Sequence, residues 1–235
     1  MKILAVDTSD ARGSVLLRSD GNLAAIRLHE SNEDYSSWLL PAVESLQPAS
    51  QRRVSVAQSV DVFAVCSGPG SFTGLRVGLT TVKAWAEVYG KPIVSVSRLA
   101  AMANRVTCEG YIAPCYDAQR GHLFASLYRR AYSELTLVQQ EMVVSPEEFF
   151  GIVSKTCGRE PVCWISLDPE LIIAQPGWNE RQRTGDTVLV CSPDLARTIA
   201  EIAERRARAN QFTDVLALDA NYVRRSDAEI FWKDR

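Results

Sequence analysis

Two apolar runs, Lys2 to Asp7 and Tyr111 to Asp117, each end in an aspartate and open the same succession of elements. After Asp7 come Gly13 to Arg18 and Leu23 to Leu28, both strand-like, with Asp20-Gly21 between them to suit a hairpin turn. After Asp117 come His122 to Tyr128 and Leu135 to Val144. A helix follows each set of three. Tyr35, Leu39, Val43 and Leu46 form one helical stripe, which Pro48 ends. In the second half Ser145-Pro146-Glu147-Glu148 is a capping box with proline in the first turn, a strong helix start. Further apolar runs then predict strands at Val62 to Cys66 and Pro92 to Val96, and at Val162 to Ser166 and Thr187 to Cys191. Helices are predicted for Arg98 to Arg105 and, opened by Ser192-Pro193-Asp194, through Arg208. Asp168 to Asp186 reads as irregular.

A doubled order of elements with little shared sequence points to a duplicated α/β domain, each half a central sheet with helices against it. The halves are expected at 1–106 and 107–235, with the boundary near Val106 to Gly110. The pattern resembles the ribonuclease-H-like duplication of the actin, sugar-kinase and heat-shock ATPase superfamily.

The most distinctive stretch is Ser67-Gly68-Pro69-Gly70-Ser71-Phe72-Thr73-Gly74-Leu75-Arg76. It leaves the apolar run Val62 to Cys66 and enters a helix whose Leu75, Leu79, Val82, Ala86 and Tyr89 share one face. Gly90 sits where a helix C′ glycine belongs, and Pro92 blocks continuation. A glycine turn before a helix invites a phosphate-loop reading. A P-loop needs four residues between its glycines and then Lys-Ser/Thr, whereas Gly70 and Gly74 have three between them and Leu75-Arg76 after. The dinucleotide fingerprint needs a glycine where Thr73 stands. Two readings remain. The helix N-terminus, with its free N–H groups, meets an anion or a partner, or Ser71 or Thr73 caps the helix while Gly68, Gly70 and Gly74 allow a tight turn and close packing.

Composition excludes several classes. A net charge of −2 argues against a dedicated nucleic-acid binder. The basic clusters Arg205-Arg206-Arg208 and Arg224-Arg225 stand alone, and the first follows Glu201 and Glu204 on one predicted helix, as a paired, solvated face would. No apolar run approaches the roughly 18 residues of a membrane span. The N-terminus reaches Asp7 too soon for a signal peptide, so a cytoplasmic protein without a membrane partner is expected. Six cysteines without a C-x-x-C pair read as buried free thiols.

The chemistry available is limited. His29 and His122 are the only histidines, too few and too far apart for a metal centre, and neither accompanies a nucleophile motif. No catalytic residue and no metal ligand is assigned. Asp7 and Asp117, at strand ends, are the best candidates for a nucleotide cleft. Thr8-Ser9-Asp10-Ala11-Arg12-Gly13 offers hydroxyls and one late glycine, a poor cradle for phosphate.

Ile3-Leu4-Ala5-Val6-Asp7-Thr8-Ser9, Gly68 to Arg76, Asp117-Ala118 with Arg120-Gly121, and the ending Tyr222-Val223-Arg224 with Glu229 and Trp232 resemble the TsaB family of bacterial tRNA threonylcarbamoyladenosine biosynthesis proteins. The resemblance runs from the first strand to the last helix. One departure is that Tyr35-Ser36 precede Leu39-Leu40-Pro41 where the family often has His-Thr.

The resemblance implies a non-catalytic subunit of a tRNA-modifying complex. It would act as scaffold and activator of a TsaD-like catalytic subunit, alongside a TsaE-like ATPase. It has no cofactor of its own, ATP and metal being expected on the partner subunits. It would reach tRNA through the complex and form a homodimer when alone. The family's partner surface, carried onto this sequence, falls on the first two helices, at Leu39, Leu40, Val43, Arg76, Leu79, Thr80 and Lys83. An ATPase or kinase of the same fold is the alternative, and a zinc protease a third.

Overall fold

The computed structural model describes residues 1–30, 33–48 and 53–223. The predicted features at Arg224, Arg225, Glu229 and Trp232 lie outside the described residues. Contacts divide the chain into two compact units, one of Met1–Ala101 with Pro193–Asn221 and one built on Met102–Ser192.

The first unit opens with β1 (Lys2–Asp7), β2 (Ser14–Ser19) and β3 (Asn22–Leu28), all antiparallel. The β2–β3 turn is the predicted Asp20-Gly21, with φ of +50° and +81°. Next come α1 (Tyr35–Glu44), the single turn α2 (Val56–Ser59), β4 (Val62–Gly68), α3 (Phe72–Tyr89) and β5 (Ile93–Ser97). β4 and β5 run parallel to β1, giving the order β3-β2-β1-β4-β5. α4 (Arg98–Asn104) follows.

The second unit repeats the plan. β6 (Gly110–Asp117), β7 (Leu123–Ala131) and β8 (Glu134–Val144) are antiparallel, and α5 (Pro146–Cys157) starts at the predicted Ser145–Glu148 capping box. β9 (Val162–Ser166) and β10 (Thr187–Val190) are parallel to β6, so the order β8-β7-β6-β9-β10 matches that of the first sheet. Two mixed five-stranded sheets of identical order make this the duplicated ribonuclease-H-like α/β fold of the actin-like superfamily.

Two expectations need correction. Asp168 to Asp186 is not irregular: it holds α6 (Glu170–Ile173) and α7 (Trp178–Arg183), locked by a buried ion pair in which Arg181 Nε lies 2.8 Å from Asp186 Oδ2. Trp164 Nε1 donates to the same Asp186 oxygen at 2.7 Å. In addition, the chain does not stay in the second unit to its end. α8 (Ala196–Arg208) packs on β1, β2, β4 and β5, so Pro193–Asn221, assigned by the sequence to the half 107–235, belongs to the first unit. The cause is strand alternation. Leu4 and Val6 join the core with α1 and α3, which leaves Ile3 and Ala5, both fully buried, for the opposite face, where Ile199, Ala200 and Ala203 cover them.

Candidate functional site

β1 delivers Asp7 to the C-terminal edge of the first sheet, where its carboxylate is fully buried. Burying a charge demands a partner, and α4 supplies one in its first residue, Arg98, which is also fully buried. The guanidinium places Nη1 at 3.1 Å from Asp7 Oδ2 and 2.7 Å from Ser9 Oγ, and Nη2 at 2.9 Å from Asp10 Oδ2. The other Asp7 oxygen accepts from Ser9 N at 3.0 Å and from Ser9 Oγ at 2.5 Å. Cys66, two residues before the end of β4, hydrogen-bonds Ser9 Oγ, and its thiol is pushed up by burial first and by the Asp7 charge second. Asp7 is thus fastened to an arginine and a serine.

The glycine turn closes over the same loop. Ser71 caps α3, its side chain accepting from Gly74 N, and its own N–H donates to Ser9 O at 2.7 Å. Thr8 Oγ1 donates to Gly74 O at 2.7 Å. A Cβ on Gly70 would run into the Ser9 carbonyl, one on Gly74 into the Thr8 carbonyl, and one on Gly78 into the Thr8 hydroxyl. These glycines admit the β1–β2 loop, leaving the space against them filled by protein. Gly68 needs its glycine for another reason, a φ of +102°. Of the two readings of the turn, capping with close packing is the one built. Thr73, although a cap candidate, is an exposed residue of the first turn.

Asp117 ends β6 in the second unit and is exposed. Its two oxygens accept from Gln119 N at 2.7 Å and Gln119 Nε2 at 3.0 Å, shaping a turn in which Gln119, Arg120 and Gly121 all have positive φ. His122 is exposed, its Nδ1 3.0 Å from Arg120 O. His29 is buried instead, stacked on Tyr35 at 4.0 Å with its ring nitrogens 2.8 Å from Ala11 O and Glu33 O. Among the described residues no group of three His, Cys, Asp or Glu side chains could hold a metal ion.

Comparisons with known proteins agree with this architecture. The family model described as TsaD, tRNA N6-adenosine threonylcarbamoyltransferase, matches residues 29–161. The Bacillus subtilis tRNA threonylcarbamoyladenosine biosynthesis protein TsaB is 28% identical over 240 residues, 99% of this chain and 98% of its own. The Haemophilus influenzae TsaB is 32% identical over 99% of this chain and 96% of its own. The chain belongs to the TsaB family. A solved Pseudomonas aeruginosa protein described as similar to peptidase YeaZ, 24% identical, superposes with a TM-score of 0.75 over 95% of this chain and 99% of its own. That likeness speaks for the fold.

For this TsaB-family chain, the seven residues assigned to a partner surface divide in three. Leu39, Val43 and Leu79 are no surface: they lie 1%, 1% and 5% exposed in the core between α1, α3 and the sheet. Their helical stripe is the inward one. Lys83 is half-buried, and its Nζ donates to Leu218 O at 2.6 Å, tying α3 to the segment after α8. Leu40, Arg76 and Thr80 do face outward, with Phe72, Ala84 and Val88 beside them on α3. The Arg76 guanidinium rests 3.7 Å over the Phe72 ring. Tyr35, standing where the family often has histidine, is part-buried and donates to Asp10 O. Burial, then the Asp7 charge, raises its hydroxyl pKa.

Sequence reasoning missed Arg98 and Ser9 as members of the Asp7 cluster. Arg98 stands 91 positions from Asp7, and no local pattern announces such a pair. It also missed the segment after α8, where Thr213 bridges Ile93, Leu218 enters the core and Asn221 N donates to Ser67 O at 2.7 Å.

Proposed function

We propose that this protein is a non-catalytic subunit of the complex that installs threonylcarbamoyl on the adenosine beside the tRNA anticodon. It acts as scaffold and activator of a TsaD-like catalytic subunit, with a TsaE-like ATPase as third member. ATP and metal belong to those partners, and tRNA is met through the assembled complex. The observation that carries the reading is the closed cluster at the end of β1. Asp7, the carboxylate best placed for a nucleotide cleft, is spent on the buried Arg98, and the glycine turn is filled by Thr8 and Ser9. A cation and a phosphate would each have to displace a protein group that already satisfies this site.

Docking uses the outward side of α3 with the adjoining part of α1: Phe72, Arg76, Thr80 and Val88, with Leu40. Val88 is 73% and Leu40 53% exposed, large apolar groups that an interface core would use. The same face closes a homodimer when no partner is present.

Reconstitution tests the reading. Modification of tRNA by TsaD-like and TsaE-like proteins is expected to require this chain, which alone neither modifies tRNA nor turns over ATP. Modification proceeding equally well without it would overturn the proposal. The alternative, an ATPase or kinase of this fold, would show itself as tight magnesium-ATP binding that Asp7→Asn or Asp117→Asn abolishes.

A further inference from the structure

His29 follows β3 and is 5% exposed. Its backbone N–H donates to Gly13 O at 2.9 Å, which sets the ring between two other stretches of the first unit. On one side is the β1–β2 loop, where Nδ1 lies 2.8 Å from Ala11 O. On the other is the approach to α1, where Nε2 lies 2.8 Å from Glu33 O. Both partners are carbonyl oxygens, which accept hydrogen bonds and never donate them. A neutral imidazole carries one N–H and serves only one of them, leaving its second nitrogen to set a lone pair against a lone pair in a buried place. The imidazolium, with an N–H on each nitrogen, satisfies both. Tyr35 stacks on the ring at 4.0 Å and Trp38 stands nearly perpendicular to it at 5.0 Å, aromatic neighbours that suit a cation. Nothing in the proposed docking role uses this ring.

We propose that His29 is a proton-operated clamp, which as the imidazolium ties the β1–β2 loop to the start of α1 and on losing one ring proton releases Glu33. The clamp is closed at lower pH and opens as pH rises. Which contact breaks follows from how firmly each carbonyl is held. The β1–β2 loop is fixed without the histidine: Ser71 N donates to Ser9 O, the Tyr35 hydroxyl donates to Asp10 O, and the Asp10 carboxylate meets Arg98. Glu33 is exposed, and its own N–H reaches Glu30 O across 3.4 Å, a long bond. The remaining ring hydrogen therefore stays on Nδ1, and Nε2 gives up the Glu33 carbonyl. The other titratable groups on these elements are Asp10 and Arg12 of the loop, Glu30 next to the ring, and Glu33, Asp34 and Tyr35 at α1. Arg12, Glu30, Glu33 and Asp34 are exposed, and burial raises the Tyr35 hydroxyl, so it stays protonated. Carboxylates, arginine and such a tyrosine keep their charge between about pH 6 and 9, which leaves the imidazole to carry a transition there.

The test is nitrogen-15 NMR of the imidazole rings in the full chain. His29 and His122 are the only histidines, and His122→Gln, a change at an exposed position, assigns the two sets of signals. At about pH 7.5, one unit above the ordinary histidine value of about 6.5, His29 is expected to show two protonated nitrogens, while His122 shows the averaged signals of a mostly neutral ring. As pH is raised further, His29 Nε2 should lose its hydrogen. In the same range the amides of Ser37 and Trp38, which donate to Asp34 O in the first turn of α1, should lose hydrogen-exchange protection several-fold after correction for base catalysis, and the amides of β1 should not. In His29→Gln the protection of α1 should no longer depend on pH. A bare nitrogen on His29 at about pH 7.5, or α1 protection that stays constant while the ring titrates, would overturn the proposal. Should His29→Gln fail to fold, the wild-type spectra and exchange rates alone decide.

Discussion

The Arg98 guanidinium lies 3.1 Å from the Asp7 carboxylate, and both side chains are fully buried. The pair joins the end of the first strand to the first residue of α4, 91 positions along the chain. A buried ion pair is held by geometry and added hydrogen bonds, here the Ser9 hydroxyl and Asp10, and breaking it leaves one charge stranded. Arg98→Met is therefore expected to lower unfolding free energy by about 3–5 kcal/mol in urea titrations. The double variant Asp7→Leu with Arg98→Met should recover part of that loss, since no charge then remains unpaired at the end of β1. Equal losses in single and double variants would show that packing around Arg98, and not its charge, holds the cluster.

Gly74 and Gly90 allow a second comparison, because their reasons for being glycine differ. Gly90 has a φ of +61° and open space around its Cα, so Gly90→Ala is expected to cost about 1–2 kcal/mol in backbone strain alone. Gly74 lies inside α3, where alanine would ordinarily gain about 1 kcal/mol. Its Cβ would meet the Thr8 carbonyl, so Gly74→Ala is instead expected to cost about 3 kcal/mol or more. Denaturation curves that rank the two variants the other way would mean the β1–β2 loop yields to the extra methyl.

The features read correctly from sequence are those with a local cause. Ser71 and Gly90 bracket α3, Ser145 and Glu148 start α5, and Asp20-Gly21 turns the first hairpin, each through contacts within a few residues. The repeated strand order was legible because every strand is an apolar or alternating run of its own. What stayed hidden depends on distant partners. α2 is one turn long, α7 is fixed by Arg181 and Asp186, and α8 returns to a sheet begun nearly two hundred residues earlier. The docking residues were misassigned for a related reason. A stripe of Leu39, Val43 and Leu46 shows that one side of α1 is apolar, but only the sheet beneath it shows that this side faces inward.

Acid is expected to weaken the first unit through Glu204. Arg18 Nε lies 2.7 Å from one Glu204 oxygen and Arg208 2.6 Å from the other, and these cations, Arg18 foremost, hold the carboxyl below its ordinary value. A carboxyl depressed on folding stabilises the protein above the unfolded value of about 4.3 and loses that contribution as pH falls through the folded value. Thermal melts should thus show Tm dropping as pH goes below about 4.3, with a shallower drop in Glu204→Gln. An identical profile in the variant would assign the acid lability to other carboxylates.

Leu39 and Leu40 are neighbours on α1 with opposite exposure, 1% against 53%, and they separate stability from docking. Leu39→Ala empties a core position and is expected to cost about 2–5 kcal/mol in unfolding free energy. Leu40→Asp changes a solvated position and should stay within about 0.5 kcal/mol of wild type. If the outward side of α1 and α3 receives the TsaD-like subunit, Leu40→Asp and Arg76→Glu should each weaken that association about tenfold or more, near 1.4 kcal/mol. Binding isotherms against the isolated partner read the effect directly, and circular dichroism confirms that the variants are folded. Both variants binding at wild-type affinity would move the interface elsewhere on the first unit and leave Val88 and Leu40 as ordinary exposed residues.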